Sequence, residues 1–222
     1  MTPGGPRLDP DRVLALSYVP AHRREAVAAL WHLDATLGAV VASGSDPMIA
    51  RIKLAWWREA LQKLGASSIA VEPVLAALRA FPPLGVGGAE LAGMEEGWTA
   101  LLDPGPLKGT DLDTYAAGRG GILFTLSARL LGGEASALVF KAGERWALAD
   151  LARHSADPGE AEAAHAAARR RLAPMRWPPR LRPLGMLAKL AARDADSGRT
   201  SLERQGSPAR MLLMLKHRIT GI

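Results

Sequence analysis

The chain has no cysteine among its 222 residues. That excludes disulfides, iron–sulfur clusters and thiolate zinc sites, and makes a reducing compartment the simplest setting. It also lacks an uncharged apolar run long enough to span a bilayer, since the stretch 120–128 stops at Arg129. Residues 1–7 do not lead into a signal-peptide core. The expectation is a soluble cytoplasmic protein, at most peripheral at the inner face of a membrane. Alternating β-branched runs, internal repeats, long heptad runs and low-complexity tracts are missing too. Neither a sheet protein nor a coiled coil is expected.

What is present suits a helical domain. An apolar fraction of 48% fills one core, so residues 1–222 are expected to form a single domain. Asp9-Pro10 and Asp46-Pro47 each place a capping carboxylate before a proline suited to the first helical turn. Helical periodicity follows through 71–79, 88–102, 111–131, 134–154, 160–173, 183–193 and 208–219. Breaks such as Pro82-Pro83, Gly132-Gly133 and Pro178-Pro179 separate these segments. The reading is an all-α bundle of about eight to ten helices. After Asp46-Pro47, Ile49, Ile52, Trp56, Ala60 and Leu64 form a stripe expected to face the core.

A net charge of +6 favours an anionic partner. The excess is concentrated in a proline-containing stretch, 169–193, which carries Arg176, Arg180 and Arg182 and no acidic residue. Interleaved Trp177, Leu181 and Leu184 would let it lie on an anionic membrane or meet an acidic protein. The plainer reading is a linker with a solvated basic surface. Nucleic-acid binding rests on charge alone, with no recognition motif, and is not expected.

Asp34 falls on the inward stripe Val27, Leu30, Trp31, Leu37 and Val41. A buried carboxylate requires a partner, for which Arg119 and Arg153 are candidates. Asp34 is either a polar site within a cavity or one half of a structural ion pair.

Four stretches carry a likeness to a known family. Tyr18-Val19-Pro20-Ala21-His22-Arg23-Arg24 enters the first long helix. Residues 46–61 include Arg51-Ile52-Lys53-Leu54-Ala55-Trp56-Trp57-Arg58-Glu59, a tryptophan-pair helix and the most specific of the four. Tyr115-Ala116-Ala117-Gly118-Arg119-Gly120-Gly121 is a tyrosine-and-glycine helix, and residues 143–154 end in Asp150-Leu151-Ala152-Arg153-His154. Together they resemble the squalene/phytoene synthase family.

The resemblance implies an isoprenoid-synthase fold and head-to-head coupling of two allylic diphosphates, with magnesium assisting departure of the first diphosphate. It implies that Tyr115 and Gly121 line a prenyl cavity, and that Trp56 and Trp57 face a carbocation. Lys53 and Arg58 would then meet phosphate or acidic protein or, more simply, cover tryptophan. Read from the residues themselves, Trp56 or Trp57 is a core side chain, and Tyr115 and Gly121 are packing positions.

The same likeness places the family's first metal-binding aspartates at Gly38, Ala39 and Ala42, none of which binds a metal through its side chain. Asp150 and Arg153 stand where the second motif has an acid or amide and an arginine, while His154 replaces its closing aspartate. Neutral imidazole is a poor magnesium ligand. Asp34, Asp150, Arg153 and His154 therefore remain as remnant candidates, with no catalytic residue, metal site or cofactor assigned. Asp150 and Arg153 also fit a helix-surface pair. The chain is shorter after the basic stretch than enzymatic members, whose further helices close the tunnel.

The chain resembles a subgroup related to a mitochondrial assembly factor of respiratory complex I. That implies a noncatalytic protein binding a prenyl diphosphate, another lipid or a protein partner. The alternative is an active prenyl-diphosphate transferase of isoprenoid, hopanoid or carotenoid synthesis. It would need Mg2+ and acids such as Asp34, Asp150, Asp111 or Asp113 in place of the lost ligands.

Overall fold

A computed structural model describes residues 6–43, 46–64, 72–171, 175–197 and 202–222. Residue 71 and residues 172–173, read as helical from the sequence, lie outside them.

Helix starts follow a recurring device, a polar cap followed by proline. Asp9 accepts from Arg12 N at 2.9 Å to open α1 (Pro10–Ser17). Asp46 accepts from Met48 N at 2.7 Å to open α3 (Pro47–Gln62), after the long α2 (Ala21–Ala42). Glu72 does the same for α4 (Pro73–Leu78). The carboxylate satisfies one of the four orphan amides while proline removes another, which halves the number left to solvent.

A short pair, α5 (Gly88–Ala92) and α6 (Met94–Thr99), leads to α7 (Gly109–Tyr115). A π turn over Ala116–Gly121 joins α7 to α8 (Ile122–Leu130). Then come α9 (Ala137–His154), α10 (Pro158–Arg170), α11 (Arg182–Asp196) and α12 (Pro208–Thr220). With α5–α6 and α7–α8 each counted as one rod, the described residues form ten helices and no strand. The all-α expectation therefore holds.

The π turn is a departure from the plain helix expected over 111–131, and glycine explains it. A methyl carbon on Gly120 would lie 2.1 Å from the Gly143 carbonyl oxygen, and one on Gly118 2.7 Å from Gly97 N. Backbones of the π turn, α6 and α9 thus approach closer than any side chain allows. The turn drives Arg119 into the middle of the bundle, where it is buried.

One cluster of buried side chains runs from Ala15 on α1 to Met214 on α12. At its centre Trp31 of α2 donates to Ser127 Oγ of α8 at 3.0 Å. Among the described residues, α2 alone has the length and apolar composition of a membrane span, but here it packs against α3, α4 and α8.

Two expectations are reversed. On α3 the buried residues are Ala50, Leu54, Trp57 and Leu61, whereas Ile49, Ile52 and Trp56 are exposed. The helix carries two apolar stripes on opposite sides, and periodicity alone cannot choose between them. Contacts with α5 and α6 select the Leu54–Trp57 side. In the basic stretch, Trp177, Leu181 and Leu184 are all buried. Its apolar residues hold it to the core and offer nothing to a membrane.

Candidate functional site

Arg119 is the hub. Its Nε lies 3.0 Å from Asp34 Oδ1 and its Nη2 3.2 Å from Asp34 Oδ2. Its Nη1 lies 2.7 Å from Asp150 Oδ2 and also donates to the Tyr115 hydroxyl. Arg119 thereby bridges α2 to α9. Indole rings cover the guanidinium, with Trp98 at 4.4 Å and Trp146 at 4.7 Å from centroid to Cζ. Arg12 closes the cluster through Nη1, 2.9 Å from Asp34 Oδ2, and also pairs with Asp9. Desolvated charges persist only where partners and further hydrogen bonds compensate them, and planar guanidinium supplies both.

Electrostatics follow from this packing. Burial by itself would raise the Asp150 pKa, but Arg119 and the His154 hydrogen bond override it and hold the carboxyl far below the usual carboxylate range. Burial also opposes the charge on Arg119, yet Asp34, Tyr115 and Asp150 hold its pKa well above the ordinary value. Desolvation pushes the Tyr115 phenol up. The hydrogen bond to Asp150 raises the His154 pKa against partial burial, with Nδ1 3.2 Å from Asp150 Oδ1.

Arg153 belongs to a second, adjoining cluster and does not pair with Asp150. Its Nη2 lies 2.8 Å from Asp194 Oδ2, and its Nη1 donates to the Glu203 carbonyl at 2.7 Å. Arg210 joins Asp194 at 2.6 Å to Asp11 at 2.9 Å. Between the clusters, a cavity of about 20 Å³ is bordered by Asp150, Arg153, Asp194 and Arg210. That is room for roughly one water.

The remaining sequence candidates disperse. Trp57 is buried and Trp56 exposed, their rings meeting edge-on at 5.3 Å. Lys53 is exposed, and Arg58 pairs with Glu95 at 3.6 Å. A methyl carbon on Gly121 would meet Phe140 at 2.4 Å, so Gly121 is a packing position rather than a cavity wall. Asp111 caps its own helix at Lys108 N, 2.8 Å away, and Asp113 pairs with Arg171 at the surface.

Magnesium, which the family resemblance implies, does not fit these residues. Asp34 and Asp150 have Arg119 between them: both Asp34 oxygens and Asp150 Oδ2 face its guanidinium, and Asp150 Oδ1 faces His154. Among the described residues, no group of three or more His, Asp or Glu side chains is placed to hold a metal. Ala39 and Ala42 are exposed, and the Trp98 indole packs over Gly38.

Sequence reasoning missed Arg12, Trp98, Trp146 and the Asp11–Arg210–Asp194 chain. Only the glycines around Arg119 signalled an unusual position; nothing in local periodicity marks a surface-type arginine such as Arg12 for burial.

The fold is an all-α bundle in which α2 and α9 contribute acids to one central polar site, as suits the all-α isoprenoid-synthase fold of the family that the chain matches. The chain belongs to the squalene/phytoene synthase family: a family model described as squalene/phytoene synthase matches residues 6–169. Asp34, Arg119 and Asp150 fall within that match, whereas Asp194 and Arg210 come from the helices beyond it. No curated protein and no solved structure shows significant similarity to the chain.

Proposed function

We propose that this chain is a noncatalytic member of its family that acts by binding a lipid or a protein partner, in the manner of the assembly-factor-like subgroup. The observation that carries this reading is the Arg119 guanidinium wedged between Asp34 and Asp150 under Trp98 and Trp146. Ionising an allylic diphosphate requires metal-ligating oxygens on two facing helices and a dry tunnel for the cation. Here the inward oxygens are already neutralised by arginine, and the space beside them holds about one water. In this reading the protein needs no magnesium and works in the cytoplasm, peripheral to the membrane.

Calorimetric titration with a nonreactive farnesyl diphosphate analogue, with and without Mg2+, tests it. The expected result is no magnesium-dependent binding. Magnesium-dependent binding that is lost in Asp150→Asn would overturn the reading and restore the transferase.

A further inference from the structure

The described residues expose large apolar side chains chiefly on two helices, α3 and α12, and charge distinguishes the two faces. On α3, the exposed Met48, Ile49, Ile52 and Trp56 lie among cations that have acidic partners: Arg51 with Asp103, Arg58 with Glu95, Lys63 with Glu59. Exposed Lys53 is the one cation there without an ion pair among the described residues, so acids offset three of the four.

The α12 face has no acid on its own helix to offset its cations. Successive helical residues turn about 100°, so Met211, Leu212, Leu215 and Ile219 share one arc of roughly that width. It points away from Arg210, Met214 and His217, which are buried. Leu212 is 69% and Ile219 77% exposed, a large apolar display for a helix whose other side is already packed on α11. Lys216 stands beside it, exposed and without an ion pair among the described residues.

The basic stretch meets this helix at its C-terminal end. Arg182 Nη1 donates to the carbonyls of Arg218 at 3.0 Å and Ile219 at 2.9 Å, and Trp177 N donates to Gly221 O at 2.9 Å. Neither 175–193 nor 204–222 contains an Asp or Glu. Arg182 and Arg218 are therefore brought together at the C-terminal end of α12, beside Lys216, with no acid from either segment to offset them, while Arg180 reaches the Gly132 carbonyl at 3.2 Å.

We propose that the outer face of α12, with the basic turn against it, docks on an anionic lipid bilayer. Leu212 and Ile219 enter the interfacial zone while Lys216, Arg182 and Arg218 meet lipid phosphates. Exposed apolar residues flanked by unbalanced cations suit that surface better than a second copy. A copy would bring cations against cations, and a stable protein interface needs some 20–30 residues a side. Burial of Trp177 and Leu181 serves this arrangement by holding Arg182 beside α12. The proposal names the partner that the binding reading leaves open, but stands whether or not the central site does chemistry.

Flotation with phosphatidylcholine vesicles, with and without phosphatidylglycerol, tests it. The full chain is expected to float with the anionic vesicles at low salt and to detach as salt screens the cations. Leu212→Ser with Ile219→Ser should weaken binding at least about tenfold, because both side chains lose their apolar burial. Lys216→Glu should weaken it by roughly tenfold or more. Ile52→Ser on α3 should leave it unchanged. Absence of binding, equal binding to neutral vesicles, or full binding by the Leu212/Ile219 variant each overturns the proposal. So does a dimer that this variant abolishes, since a second copy would then own the face. None of these outcomes depends on the diphosphate titration, so the two readings fail separately.

Discussion

The indole of Trp98 lies against Gly38 so closely that a methyl carbon on the glycine would sit 2.8 Å from Cη2 of the ring. This position, where the family resemblance expects a metal-binding aspartate, is thus packed by an aromatic side chain that also covers Arg119. The loss of the carboxylate and the burial of the arginine are parts of one arrangement. A side chain at 38 displaces the ring, and the ring is one of the two walls that hold the guanidinium.

Gly38→Asp should therefore fail to restore magnesium binding and should destabilise the protein by about 1–3 kcal/mol, the usual range for overpacking. Urea unfolding and magnesium titration of the variant check both parts. An undiminished unfolding midpoint, or tight magnesium binding, contradicts the packing described.

Asp34→Asn should cost about 3–5 kcal/mol, because it leaves Arg119 and Arg12 buried without their shared carboxylate. The loss should shrink when Arg119→Met is combined with it, since one of the two uncompensated charges is then gone. Denaturant unfolding of the single and double variants gives the coupling energy, expected to be about 1–3 kcal/mol. Strict additivity would mean that the pair does not interact.

The adjacent tryptophans should behave differently. Trp57 is 6% exposed and Trp56 52% exposed. Trp57→Ala should lower stability by about 3–5 kcal/mol, the cost of emptying a core site. Trp56→Ala should cost about 0.5 kcal/mol or less, as for surface positions generally. Thermal unfolding of the two variants side by side decides it, and equal losses would refute the burial assignment.

The His154–Asp150 contact predicts a pH dependence on the basic side. Asp150 raises the folded-state pKa of His154 above its unfolded value, so folding binds a proton more tightly. The contribution is complete below about pH 6.5, the ordinary histidine value. It fades as pH rises through the higher folded value. Burial lowers the pKa values of His32 and His217, which act in the opposite sense, so the comparison must be a difference. The stability gap between the wild-type chain and His154→Gln should narrow as pH rises past neutrality, and salt should shrink it. A gap constant across that range would show that the contact does not titrate.

Much of this molecule was legible one residue at a time. Asp-Pro steps at 9–10 and 46–47 announce helix starts because a carboxylate and a proline solve the same problem of orphan amides. Asp34 reads as inward because it shares a stripe with Leu30 and Leu37, and Arg119 is among the partners its burial demands. α3 shows where such reading stops. Its two apolar stripes satisfy the same 3.6-residue period, and nothing within the helix says which will find neighbours. Arg153 had the right type and spacing to pair with Asp150, but Asp194 came closer from α11.

By itself, then, the sequence determined the helical class, the helix starts, the family and the absence of carboxylates at Gly38, Ala39 and Ala42, because caps, periodicity and residue chemistry act over a few residues. Only the tertiary structure decided that Arg119 lies between Asp34 and Asp150, that Trp57 and not Trp56 is buried, and that the basic stretch packs beside an apolar α12. Those outcomes depend on which helices meet. Partners far apart in the chain, such as Asp34 and Arg119, or Arg182 and Ile219, are selected by the space left when ten helices pack, and local sequence carries no record of that space.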